Sequence, residues 1–223
     1  MEKGRIMAYI KVENLKYRYP NTTKLALDGL DFEIEKGSFT AVLGHNGSGK
    51  STLLSVIGAR LKPYRGKVKL NEKTATMPQN PQLLFVKDSL LEDFKSVSGD
   101  LEKINKLSKK FNVHRLLNHH PYDLSGGEIQ RAGFVKLLLL EPKILLLDEP
   151  TKGVDVGAKA QIYEIMSELA AQGFGVIMIS SEMPEVLGMA DTILVMKEGR
   201  VSKIFADATG VTQEQILEAA MNM

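Results

Sequence analysis

The nine residues "GHNGSGKST" (44–52) are the first candidates for chemistry. Gly44, Gly49, Lys50 and Ser51 stand at the spacing G-x-x-x-x-G-K-[ST]. Glycines at that spacing let successive backbone N–H groups converge on phosphate oxygens, and a helix starting there turns its positive end toward the same anion. His45, Asn46, Gly47, Ser48 and Thr52 complete the candidate cradle. Lys50 would bring a point charge to the β- and γ-phosphates of a nucleotide, and Ser51 would ligate Mg²⁺. A glycine-rich strand-to-helix turn without a ligand is the alternative.

A second candidate is "ILLLDE" (144–149), an apolar run that ends in two acids. Open α/β sheets bind ligands at the C-terminal ends of their strands, where this pair would lie. Asp148 would hold Mg²⁺ through a water, and Glu149 would polarise an attacking water. Phosphoryl transfer needs such positioning and charge neutralisation more than covalent chemistry. A strand ending in Asp-Glu is also compatible with loop charges or a helix cap.

The stretch "LSGGEIQR" (124–131) offers two readings. Ser125 and Glu128 fit an S-x-x-E capping box. Gly126 and Gly127 each cost a helix about 1 kcal/mol relative to alanine, which suggests a backbone that approaches a ligand closely. A further edge is "VIMISSEMPEV" (176–186), where a buried strand gives way to Ser180, Ser181 and Glu182. The two serines could cap a helix beginning at Met183, with Glu182 facing solvent or in its first turn.

These residues need strands that end together and helices that start beside them. Short β-rich runs alternate with helical ones, the pattern of an α/β chain with a largely parallel sheet. Strands are expected at 9–12, 30–34, 39–44, 66–70, 74–77, 143–150, 175–179, 192–196 and 200–205. Helices are expected from residue 50 to 58, over 126–140 and 157–171, near 184–188 and from about 212 to 222. Residues 80–123 lack a strand pattern and read as a helical insertion. The expected organisation is a single domain, 1–223, with a helical subdomain over about 80–140.

Composition sets the outer bounds. The chain of 223 residues is 43% hydrophobic and 25% charged, with a formal net charge of +2. That near-neutral balance gives no nucleic-acid footprint. There is no cysteine, which removes disulfides and thiolate chemistry and fits a reducing compartment. No stretch approaches the ~18 apolar residues of a membrane span, and the first ten residues lack the apolar core of a signal peptide. A cytosolic protein is expected, with any membrane contact made through a partner. The pair His119 and His120 lacks a third metal ligand in recognisable spacing.

In combination, the cradle at 44–52, "LSGGE" at 124–128 and the acids at 148–149 resemble the ATP-binding cassette (ABC) ATPases. The resemblance implies an α/β P-loop fold with an N-terminal antiparallel β part, ATP and Mg²⁺ as cofactors, and ATP hydrolysis. Tyr19 resembles the aromatic that stacks on adenine. Gln79 resembles the glutamine that contacts Mg²⁺ and senses the γ-phosphate. Asp155 resembles the aspartate that communicates between paired ATPase domains, and a helix-capping role is equally open to it. Ser125, Gly126 and Gly127 are implied to close over the nucleotide of a second ABC ATPase domain. A transmembrane importer subunit is the other implied partner, docked on the helical insertion at the inner face of the membrane.

Two likenesses divide the chain. Up to about residue 153, "PQNPQLLFVKDSLLEDF" and "HPYDLSGGEIQRA" resemble the ATPases of energy-coupling-factor importers of vitamins or metal ions. Beyond it, "GVDVGAKAQIYEIMSELAAQGFGVIMISSEMPEVLGMADTILVM" resembles the second ATPase domain of ribose- and galactose-type sugar importers, so a chimera is one expectation. Ser181 takes the place where most relatives carry a histidine. Serine donates one hydrogen bond but cannot carry positive charge, so it should support binding better than turnover. The leading expectation is an ATPase subunit that powers a membrane importer. The alternative is a nucleotide-dependent dimerisation module with weak turnover.

Overall fold

The computed structural model describes residues 8–221; the extreme N-terminal segment and the last expected residue of the tail helix lie outside the described residues. A three-stranded antiparallel sheet is built from β1 (Ala8–Tyr17), β2 (Leu27–Glu35) and β4 (Arg65–Leu70), in the order β2-β1-β4. The larger sheet has β3 (Phe39–Gly44), β5 (Thr74–Met77), β6 (Ile144–Asp148), β7 (Gly175–Ile179), β8 (Thr192–Lys197) and β9 (Arg200–Phe205). Its order is β5-β6-β7-β3-β8-β9, and only β9 runs antiparallel to its neighbour.

The long apolar runs of β6 and β7 follow from burial on both faces. Side chains alternate across the sheet. Leu145, Leu147, Val176 and Met178 enter the core shared with the helical segment, while Ile144, Leu146, Ile177 and Ile179 face the core under the antiparallel sheet. The first core contains Phe94, Phe111 and Phe134, all fully buried.

Among the described residues, seven α-helices complete the fold: α1 (Lys50–Ile57), α2 (Leu90–Val97), α3 (Leu101–Lys110), α4 (Gly126–Leu139), α5 (Val156–Ala171), α6 (Met183–Met189) and α7 (Gln213–Met221). The helical insertion divides into α2, α3 and short 3₁₀ turns. It is fastened to α4 by Lys136, whose ammonium donates to the fully buried Asp93 carboxylate at 2.6 Å. Asp93 also accepts from the backbone amides of Val86 and Lys87, so one carboxylate fixes the loop leading into α2.

Several boundaries differ from the sequence reading, β2 among them, which begins at Leu27 rather than at residue 30; two of the differences have a local cause. β1 extends well beyond residues 9–12 because a bulge lies between Val12 and Leu15, with Asn14 at φ 44°, and breaks the alternation without ending the strand. β6 stops at Asp148, one residue before Glu149, which turns into the left-handed region at φ 49°.

Candidate functional site

Sheet register brings the candidates together. Ile179 pairs with Val42 on one side and with Asp148 on the other, so β3, β6 and β7 end at one edge. Past that edge lie the 44–52 loop, Glu149 and Ser181. A cleft of about 290 Å³ opens there, lined by Tyr19, Lys50, Ser51, Gln79, Asp148 and Glu149 among others. A neighbouring cleft of about 540 Å³ shares Tyr19, Asn46 and Gly47 and continues past His45 and Ser48 to Lys197 and Gly199.

Loop geometry explains the glycines and the lysine. Gly49 caps α1 at φ 104°, in a left-handed conformation, and a Cβ there would meet the Ala26 carbonyl oxygen at 2.6 Å. Among the described residues no side chain caps this helix, which leaves its first-turn amides open to the loop. Lys50 crosses beneath it and donates to the carbonyls of Gly44 (2.7 Å) and His45 (3.0 Å). Burial lowers the Lys50 pKa, and the charges of Glu149 and Asp148 oppose that shift. The Ser48 hydroxyl is buried with no hydrogen-bond partner among the described residues. An orphaned donor inside a cradle of amides suits a phosphate oxygen.

The acids are arranged differently from each other. Ser51 Oγ donates to Asp148 Oδ1 at 3.3 Å. Burial raises the Asp148 pKa, the Ser51 hydrogen bond works against this, and the adjacent Glu149 charge adds to it. A hydroxyl and a carboxylate side by side form an all-oxygen donor set, the chemistry that Mg²⁺ prefers, and Gln79 lines the same cleft. Glu149 donates its amide to the Ile179 carbonyl (3.0 Å), and its carboxylate Oε2 accepts from both the amide (3.1 Å) and the hydroxyl (3.0 Å) of Ser181.

The serines at 180–181 therefore do not cap α6. Glu182 occupies the N-cap without a side-chain capping bond and forms an ion pair with Lys159. Ser180 Oγ accepts from the Glu182 amide at 3.0 Å, and Ser181 serves Glu149. Tyr19, 44% exposed, shares a hydrogen bond with Thr52 Oγ1 at 2.9 Å and packs edge-on to Tyr17. Its ring stands at the junction of the two clefts.

Ser125, Gly126 and Gly127 do not line these clefts. The capping box is present: Glu128 accepts from the amide (3.0 Å) and hydroxyl (2.8 Å) of Ser125, and these bonds hold its pKa low. Gly127 is small for a packing reason, since a Cβ would approach Ala158 Cβ to 2.5 Å. Among the described residues, Gly126 has only the Gly153 carbonyl near its missing side chain, at 3.4 Å. Asp155 caps α5, accepting from the Ala158 amide at 2.9 Å.

Residues 27–152, which contain the loop, Ser125–Gly127 and both acids, match the ABC transporter family. The chain belongs to the ABC transporter family. This ABC cassette is 35% identical to the xylose import ATP-binding protein XylG of Histophilus somni, over 95% of the chain but 48% of that protein's length. It is 32% identical to the energy-coupling factor transporter ATP-binding protein EcfA3 of Oenococcus oeni, over 93% of the chain and 84% of that protein. Both similarities run across residue 153, so neither divides the cassette there. Among solved structures it resembles cbiO1 from Clostridium perfringens, part of the ABC transporter complex cbiONQ, with a TM-score of 0.82, 28% identity, and 95% and 93% of the two chains covered.

The sequence reading missed Thr151, Tyr163 and Glu185 of this ABC cassette. The Glu185 carboxylate is buried and accepts hydroxyls from Thr151, Ser180 and Tyr163. A buried acid on a short helix carries no sequence signal, because the pattern at 183–189 resembles any solvated helical turn.

Proposed function

We propose that the chain binds Mg-ATP in the cleft beside the 44–52 loop and hydrolyses it to drive a membrane importer. The observation that carries this is the Glu149 carboxylate, held by Ser181 at the strand edge beside the Ser51–Asp148 pair. The loop amides and Lys50 grip the phosphates, with Tyr19 set against the base. Ser51, Asp148 and Gln79 would hold Mg²⁺, which when bound neutralises phosphate charge. Glu149 orients the attacking water and takes its proton. Ser125, Gly126 and Gly127, which do not line this cleft, serve the nucleotide of a second ATPase domain, with Asp155 at the same junction. A transmembrane subunit seats on the helical segment within 80–140 of the one cassette domain, and locates the chain at the inner membrane face.

Steady-state hydrolysis of Mg-ATP tests this reading. The parent chain turns over, and Glu149→Gln loses about 100-fold or more in kcat while still binding ATP, the usual scale for losing a general base. Equal rates for parent and Glu149→Gln would overturn the assignment.

A second reading draws on the same contact. Both protons that Ser181 offers go to one oxygen of Glu149, and a serine brings no positive charge to the γ-phosphate. In that reading the chain, whether or not two parents join near residue 153, is a dimerisation module that holds ATP and turns over weakly. A parent rate near background that Ser181→His raises at least tenfold favours it; an unchanged or lower rate in Ser181→His removes it.

A further inference from the structure

Glu185 is 6% exposed and lies on α6, outside the clefts described above. Its Oε1 accepts from the hydroxyls of Thr151 and Tyr163, the latter at 2.8 Å, and its Oε2 accepts from Ser180. These donors come from three different elements. Thr151, 2% exposed, is two residues past Glu149 in the turn after β6. Ser180, 1% exposed, directly precedes Ser181 in the turn after β7. Tyr163 stands on α5, and its pKa is raised by burial first and then by the hydrogen bond and charge of Glu185, so it remains a hydroxyl donor.

A carboxylate buried this deeply is costly unless its oxygens are satisfied, and here three donors satisfy them. The same bonds fix the separation of two turns. Each turn carries one member of the Glu149–Ser181 contact, within two residues of its anchor. Ser180 reinforces the geometry by accepting the Glu182 amide at 3.0 Å, which sets the backbone leaving Ser181.

We propose that Glu185 is a positioning residue for ATP hydrolysis, tying the turn after β6 to the turn after β7 so that Ser181 meets the Glu149 carboxylate. It lines neither cleft and acts through those two residues. The inference rests on the proposed hydrolytic function for its kinetic consequence, while the structural tie can be measured without turnover.

The test compares Glu185→Gln, Thr151→Val and Thr151→Ser with the parent, by Mg-ATP kinetics and by amide hydrogen exchange. Glu185→Gln keeps the shape of the side chain but turns an amide donor toward hydroxyls that were donating. The expected kinetic result is a fall in kcat of about tenfold with KM and ATP affinity within about twofold, because the phosphate grip lies elsewhere; tenfold corresponds to ~1.4 kcal/mol in the barrier. Thr151→Val shows the same split, and Thr151→Ser, which keeps the hydroxyl, restores kcat. Combined with Ser181→Ala, Glu185→Gln adds less than twofold to the loss of Ser181→Ala alone, as expected for residues that act through one contact. In exchange, Glu185→Gln speeds the Ser181 amide about tenfold while the amides of residues 176–179 keep the parent's protection.

Unchanged Ser181 exchange overturns the proposal, as does faster exchange spread evenly along β7, which would make Glu185 a general stabiliser. A multiplicative loss in the double variant also overturns it. If the parent does not hydrolyse ATP, the hydrolytic reading fails and the exchange result still decides whether Glu185 holds the two turns.

Discussion

Asp148 shows how one residue trades stability for a site. Its pKa in the folded chain is raised, chiefly by burial. A group of that kind favours folding fully only below its unfolded pKa, and that contribution is lost as pH rises through the folded value. Above the unfolded value the raised pKa therefore opposes folding. Asp148→Asn is expected to raise Tm by roughly 2–4 °C at pH 7, with the gain gone below about pH 4. The same variant should lose Mg-ATP turnover, so stability and activity move in opposite directions. Thermal unfolding at the two pH values checks the sign, and a lower Tm at pH 7 would mean that the Ser51 hydrogen bond outweighs burial. Glu149 carries a different cost, a left-handed backbone at φ 49° that a residue with a Cβ adopts under constraint. The Ser181 contacts and the bond from its own amide to Ile179 supply that constraint.

At the scale of elements, close approaches decide which residues are tolerated. α4 starts against α5 with Gly127 facing Ala158. Gly127→Ala should cost about 1–3 kcal/mol through overpacking, and Ala158→Gly in the same chain should recover part of that loss although glycine weakens a helix by itself. A double-mutant cycle in urea measures the coupling; additive losses would mean that the helices shift apart freely. Besides its apolar core, the insertion is fastened by the Lys136–Asp93 pair. Lys136→Met leaves Asp93, fully buried, with only backbone donors. A loss of about 3–5 kcal/mol is expected from urea unfolding, and a loss under about 1 kcal/mol would show that the two amides satisfy the carboxylate alone. On the proposed function these contacts matter because they hold part of the loop between Gln79 and α2, which leads from the cleft to the helical segment.

For the whole molecule, the arrangement of the motifs implies a division of labour. Lys50, Ser51, Asp148 and Glu149 share one cleft, and Ser125–Gly127 start a helix that does not border it. On the proposed function, completing a site therefore takes a second cassette. Glu149→Gln mixed with Mg-ATP should elute from size exclusion at about twice the mass of the nucleotide-free protein and return to the smaller form when ATP is removed, because the nucleotide charge bridges the halves. A mass unaffected by Mg-ATP would argue against head-to-tail pairing.

The sequence by itself determined the elements and most of the cleft. Apolar runs at 39–44, 144–147 and 175–179 read as buried parallel strands, and glycine spacing at 44–49 reads as a tight strand-to-helix turn, because both follow from local chain geometry. The helix starts at Ser125 and Asp155 were equally legible from their capping residues. Tertiary structure alone decided how neighbouring residues divide their tasks. That Ser181 turns to Glu149, that Gly127 makes room for Ala158, and that Glu185 gathers hydroxyls from three elements are consequences of strand register and helix packing. Partners 32 and 34 residues apart leave no periodic trace, because only the sheet brings them within hydrogen-bond reach.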